Sequence, residues 1–131
     1  MVCIYCNSKT KVSNSRSNVT TWRRRECTAC KSVFTTYERP DYKAALRVEN
    51  TAKHLEPFLR DKLFLSLVDA LAHKKTALGD ASSLCDTIIT QLAHEHRNGL
   101  LTTQQIAACS VTTLKRFDTV AASVYAAKHN L

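Results

Sequence analysis

Two Cys-x-x-Cys pairs, Cys3 with Cys6 and Cys27 with Cys30, separated by 20 residues, constrain this chain more than any other feature. Two intervening residues let a tight turn aim both sulfurs at one ion. Two such turns, brought together by a small sheet, complete a tetrahedron of thiolates. A single pair is weak, because redox motifs share it; two pairs in a basic segment point to zinc, with an iron–sulfur or redox role as the alternative. A closed four-sulfur shell leaves no position for water or substrate, which makes the expected zinc structural. A segment of this size buries too little apolar surface to fold alone, so a metal cross-link supplies what the core lacks.

Charge separates this segment from the rest. Residues 1–47 carry ten Lys and Arg against three Asp and Glu, a net +7, whereas residues 48–131 carry nine against eight, a net +1. A small domain that basic attracts phosphate polyanions and releases their counterions on binding; the plainer alternative is that the cations keep it soluble. No stretch approaches the roughly 18 apolar residues of a membrane span. The start, Met1-Val2-Cys3-Ile4-Tyr5-Cys6, has no basic segment followed by an apolar core. Together these predict a cytoplasmic protein with reduced thiols and no membrane partner.

Secondary-structure grammar changes along with the charge. Thr20-Thr21-Trp22 and Ser32-Val33-Phe34-Thr35-Thr36-Tyr37 favour strands, the latter alternating Val33, Thr35 and Tyr37 against Phe34 and Thr36. Arg39-Pro40-Asp41 ends that run, since proline removes a ladder donor. Ala44 to Glu49 reads as a short strand. Phe58–His73 follows as a helix, with Leu63, Phe64, Leu67, Val68, Leu71 and Ala72 inward. Gly79-Asp80 punctuates, and Asp80 or Ser82 caps a helix running to His96 with Leu84, Ile88, Ile89 and Leu92 inward. Asn98-Gly99 closes it. Thr102 with Gln105 fits a capping box for a third helix, with Ile106 and Leu114 inward, and Asp118 to His129 is a last helical run. No internal repeat is evident. The expected fold class is α+β: a β zinc ribbon over residues 1–42, then a mainly helical domain with a short β-hairpin over residues 43–131.

Several side chains are candidates for chemistry. Arg23, Arg24 and Arg25 lead into the second cysteine pair; on a strand, Arg23 and Arg25 share one face and Arg24 takes the other. Arginine grips phosphate with two parallel hydrogen bonds or reads guanine in the major groove. Trp22 and Tyr37 are suited either to stacking on bases or to forming the ribbon's tiny core. His94 and His96 stand two apart on a helix, pointing about 200° apart, the wrong geometry for sharing an ion. Cys85 and Cys109 fall within helices and read as ordinary half-buried residues.

Cys3-x-x-Cys6, Arg23-Arg24-Arg25-Glu26-Cys27-x-x-Cys30 and Phe34-Thr35-Thr36-Tyr37-Glu38-Arg39 together make the chain resemble the NrdR family, zinc-ribbon and ATP-cone repressors of bacterial ribonucleotide reductase genes. The resemblance implies a ribbon that binds zinc and contacts double-stranded operator DNA, with Arg23, Arg24 and Arg25 as the matching arginines. Glu56-Pro57-Phe58, Lys62-Leu63, Leu114-Lys115-Arg116-Phe117 and Tyr125 are similar to an ATP-cone. That similarity implies an ATP or dATP site using Val48, Glu56 and Lys62, with the lysine near the phosphates. It also implies a homo-oligomer whose form reports nucleotide state. The family's first cone strand carries Val-x-Lys-Arg-Asp-Gly; here it is Val48-Glu49-Asn50-Thr51-Ala52-Lys53, with only the valine shared. Asn50 is then the residue suited to a positive φ at the hairpin turn.

Three functional classes are compatible with a chain of this kind. The leading one is a nucleotide-responsive DNA-binding repressor. The alternative is a nucleic-acid- or protein-binding adaptor whose degenerate cone no longer senses nucleotide. An enzyme is disfavoured, because no glycine-rich phosphate loop, carboxylate cluster or open metal shell is evident.

Overall fold

The computed structural model describes residues 1–18 and 20–131, and its contacts divide the chain into two compact units, Met1–Pro40 and Asp41–Leu131. The fold class is α+β, a small β-sheet with a four-cysteine cluster followed by a mainly helical region.

In the first unit, β1 (Thr10–Ser17), β2 (Thr21–Cys27) and β3 (Val33–Glu38) form an antiparallel sheet in the order β1-β2-β3. The expected strands around Trp22 and over Val33–Tyr37 are present, and Val33, Thr35 and Tyr37 are more exposed than Phe34 and Thr36. The first strand, Thr-Lys-Val-Ser-Asn-Ser-Arg-Ser, has no apolar alternation and was not expected. It pairs along β2 from Thr10 opposite Cys27 to Ser17 opposite Thr21, with a bulge between Val12 and Asn14. Cys3 and Cys27 are the only fully buried side chains among the described residues of this unit. Its core is therefore the cysteine site itself.

The second unit opens with α1 (Tyr42–Ala45), which takes Ala44 and Ala45 out of the strand expected over Ala44–Glu49; the remainder of that strand is present from Arg47 to Glu49. The Asp41 side chain accepts from the Lys43 amide and closes a single helical turn. Strand β4 (Arg47–Glu49) then pairs antiparallel with β5 (Leu55–Pro57) and parallel with β6 (Leu100–Thr102). The hairpin was expected; β6, three residues long, was not. Val48 and Leu101 pair across β4 and β6, and both are buried.

Helices α2 (Arg60–Ala70), α3 (Ala77–Glu95), α4 (Thr103–Phe117) and α5 (Thr119–Lys128) pack on one another in a core that also takes in Val48 and Leu101, with α4 against β6. Leu63, Leu67, Leu71, Leu84, Ile88, Ile89, Leu92 and Leu114 lie in the core as expected, Phe64, Val68 and Ile106 pack at its margin, and Ala72 is exposed. Ala72 falls beyond the end of α2, whose last turn closes through the Leu71 amide, so the helical face no longer governs it. Gly79-Asp80 does not break the chain. Alpha helix α3 starts at Ala77, neither Asp80 nor Ser82 caps it, and the Thr76 hydroxyl donates to Asp80 at 2.6 Å. A glycine inside a helix costs about 1 kcal/mol against alanine, which a helix with one buried face tolerates.

The capping box of α4 is present: Gln105 N donates to Thr102 Oγ1 at 3.1 Å, and Thr102 N donates to Gln105 Oε1 at 2.8 Å. Asp118 caps α5 through the Ala121 amide at 3.0 Å and also meets His73 at 3.0 Å. The Ala121 amide first, and His73 second, hold its carboxyl below the usual carboxylate range.

Gly99 ends the α3–β6 connection at φ 73°, where an added Cβ would stand 2.6 Å from the Ala45 carbonyl oxygen. Replacing Gly99 by Ala is expected to destabilise this unit by at least about 1–3 kcal/mol, the cost of a left-handed non-glycine residue before any clash. Thermal unfolding followed by far-UV circular dichroism measures it, and an unchanged midpoint contradicts it.

Candidate metal centre and nucleic-acid interface

The two cysteine pairs sit on matching turns. Cys3 N donates to Ser8 O at 2.8 Å, and Cys27 N donates to Ser32 O at 2.9 Å. Each turn ends in a left-handed residue directly after its second cysteine, Asn7 at φ 61° and Lys31 at φ 63°. The chain thus repeats Cys-x-x-Cys-x-Ser, at Cys3–Ser8 and Cys27–Ser32. This six-residue repeat corrects the expectation of a chain without internal repeats.

These turns bring Cys3, Cys6, Cys27 and Cys30 together, with all four sulfurs within 4.8 Å of one another. The Cys3–Cys30 separation is 3.7 Å and the Cys6–Cys27 separation 3.5 Å. Sulfurs placed tetrahedrally about 2.3 Å from a zinc ion stand about 3.8 Å apart. The shell therefore fits one structural zinc. Backbone amides of Tyr5, toward Cys3, and of Ala29 and Cys30, toward Cys27, approach sulfur at 3.4 Å and offset thiolate charge. Ser8, by its hydroxyl and then its amide, lowers the Cys6 thiol to about 6. Ser32 lowers Cys30 in the same way, whereas burial raises Cys3. Cys6 is thus poised as a thiolate near neutral pH and Cys30 is shifted toward the same form, the one a metal requires. Ser8 and Ser32 are functional neighbours that the reading of the sequence missed.

Strand β2 ends at Cys27, so the metal turn anchors the arginine strand directly. Arg25 Nε donates to Thr36 Oγ1 at 3.2 Å, and Thr36 is the cross-strand partner of Arg23. Arg23 and Arg25 therefore share a face, as alternation predicts. Arg23 also meets Glu38 at 3.3 Å. Arg24 is exposed on the other face. Trp22, half-buried, lies between Arg16 on β1 and the exposed Tyr37 on β3.

In the second unit, Val48, Glu56 and Lys62 line one cavity of about 310 Å³, together with Phe58, Ile106 and Tyr125. His129 stacks on Tyr125 with ring centroids 3.9 Å apart. Among the described residues, Lys62 is the only lysine or arginine in its lining, and its ammonium lies 4.0 Å from Glu56. The hairpin turn is built differently from expectation. Lys53, not Asn50, takes the positive φ of 63°. Asn50 instead accepts from the His54 amide at 3.0 Å and donates to Glu56 at 3.0 Å, so its amide closes the turn from within.

Other candidates are accounted for by packing. His94 lies in the last turn of α3 and His96 caps it. Among the described residues, the four cysteines are the only group of three or more His, Cys, Asp or Glu close enough to hold an ion. Cys85 and Cys109 are buried more fully than expected, and burial pushes the Cys85 thiol up to about 11.

Comparison with known proteins adds a family match and three relatives. Residues 1–38 match the zinc-ribbon family described as the N-terminal domain of transcriptional repressor NrdR-like proteins. The chain is 33% identical to the transcriptional repressor NrdR of Thermosipho melanesiensis, covering 95% of this chain and 87% of that protein. It is 35% identical to that of Deinococcus radiodurans over 95% and 82% of the two chains. With that of Finegoldia magna it shares 32% identity over 95% and 87%.

Proposed function

The chain belongs to the NrdR family of zinc-ribbon transcriptional repressors, and from that premise we propose that it represses ribonucleotide reductase genes in response to an adenine nucleotide. One zinc ion held by Cys3, Cys6, Cys27 and Cys30 keeps the sheet in shape. That sheet, with Arg23, Arg24 and Arg25 on its central strand, binds double-stranded DNA. The observation that carries this reading is the position of Cys27, a zinc ligand at the end of the strand that bears the three arginines. Metal and DNA surface are one element.

A single small ribbon offers few contacts. Association of the helical units into a homo-oligomer would place several ribbons along one site and raise avidity steeply. The protein acts in the cytoplasm, as a regulator and not as an enzyme. ATP or dATP occupies the cavity lined by Val48, Glu56 and Lys62. Replacing Lys62 by Ala is expected to weaken that binding about tenfold, the scale of one charge-assisted hydrogen bond. Titration calorimetry measures it, and equal heats for variant and wild type would remove Lys62 from the site.

The adaptor reading has one observation in its favour: Asn50 and Thr51 stand where the family's cone strand has a lysine and an arginine, and Asn50 is spent on the turn. Anisotropy of a reductase promoter duplex and of a shuffled duplex, with and without ATP or dATP, separates the two. Preference for the promoter that shifts with nucleotide is the expected result. Equal binding to both duplexes, indifferent to nucleotide, would favour the adaptor.

A further inference from the structure

The sheet of the ribbon has two faces of different electrostatic character, and cross-strand register assigns each side chain to one of them. Arg16, Trp22 and Tyr37 stand opposite one another in one row. Asn14, Arg24 and Thr35 form the next row of the same face, about 6.6 Å along the strands. The reverse face carries Ser15, Arg23 and Thr36, then Val12, Arg25 and Phe34.

On the reverse face the guanidinium groups are engaged. Arg23 meets Glu38 at 3.3 Å, and Arg25 donates to Thr36 at 3.2 Å. Both residues are half-buried. To take up a phosphate, Arg23 must give up its carboxylate, and Glu38 would stand in the interface as a like charge to the DNA. Arg16 and Arg24 are exposed, and among the described residues neither side chain has an ion pair or a hydrogen bond. Among the described residues the one carboxylate on their face, Glu26, lies a row further on, opposite Lys11 at 4.0 Å. Beside these arginines lie an amide, a hydroxyl and an exposed phenol, Asn14, Thr35 and Tyr37, groups that hydrogen-bond to phosphates and to base edges.

We propose that the ribbon lays the Arg16–Trp22–Tyr37 face on the duplex, with Arg16 and Arg24 as its cationic contacts and Arg23 and Arg25 as positioning residues that hold the opposite face. This rests on the DNA-binding reading above and adds to it Arg16, a residue of β1 outside the run of three arginines. It also divides that run by role.

The test uses the full, zinc-loaded chain, a labelled duplex of mixed sequence and a salt titration. The double variant Arg16→Ala with Arg24→Ala is expected to bind at least about tenfold more weakly at low salt. Its log–log salt slope should fall by about two, one for each phosphate contact, with zinc content and melting temperature unchanged. The double variant Arg23→Ala with Arg25→Ala should keep the wild-type slope and lose ribbon stability. A wild-type slope in the first variant with a reduced slope in the second would overturn the assignment of the face while leaving DNA binding intact. If the wild-type chain binds no duplex at all, the DNA-binding reading and this inference fall together.

Discussion

Cys27→Ser releases the zinc and unfolds the ribbon, while the helical unit keeps its own cooperative transition. The reason lies in what each unit buries. Residues 1–40 have Cys3 and Cys27 as their only fully buried side chains among those described, with Trp22 and Phe34 half-buried, so too little apolar burial remains to hold the three strands once the metal shell opens. Structural zinc contributes roughly 10–16 kcal/mol of apparent binding energy in small zinc-folded peptides, far more than such a sheet has in reserve. The helical unit, by contrast, has a continuous core from Leu46 to Tyr125 that contains none of the zinc ligands. Metal analysis and far-UV circular dichroism on heating separate the two events. Loss of the helical signal in the same transition as zinc release would show that the two units fold as one.

The converse substitution acts on the other unit. Leu67 is fully buried on α2, which packs on both α3 and α5. Truncation to alanine leaves a cavity at the meeting of three helices, and such changes cost about 2–5 kcal/mol. For a unit of this size that lowers the melting midpoint by roughly 10–30 °C. Zinc content at room temperature should stay at one ion per chain, because no ligand or supporting hydrogen bond of the metal site belongs to this unit. Leu67→Ala with an unchanged midpoint would contradict the packing described. Leu67→Ala with loss of zinc would contradict the independence of the ribbon.

How much of this was legible beforehand follows from where the physics is local. The cysteine spacing declares its purpose because metal geometry depends on a few residues at fixed separations. The capping box of Thr102 and Gln105 is equally local, two reciprocal hydrogen bonds within one turn. Features set by tertiary context were harder. Strand β1 carries no apolar alternation because it has no core to face; it exists through its pairing with β2. Strand β6 is three residues long and forms only because β4 is there to pair with it. Gly79 looked like a break, yet the buried face of α3 outweighs its weak propensity. At the hairpin, Asn50 was the better candidate for positive φ by residue type. Its side chain is worth more as an acceptor for the His54 amide, and Lys53 takes the left-handed position.

The candidate sites divide along the same line. Alternation placed Arg23 and Arg25 together and Arg24 apart, but no spacing rule could show that Glu38 and Thr36 engage the first two. Arg16 escaped notice because its place beside Trp22 depends on register across a bulged strand. Val48, Glu56 and Lys62 came from family resemblance, and the structure brings them to one cavity.

The central claim is that zinc shapes the DNA-binding surface. It is tested most directly by titrating zinc into chelator-stripped, reduced full-length chain in the presence of a labelled duplex. Anisotropy is expected to rise with added zinc and to level off at one equivalent per chain, and Cys27→Ser should stay flat throughout. Binding that is already complete before zinc is added, and unchanged after it, would contradict the account.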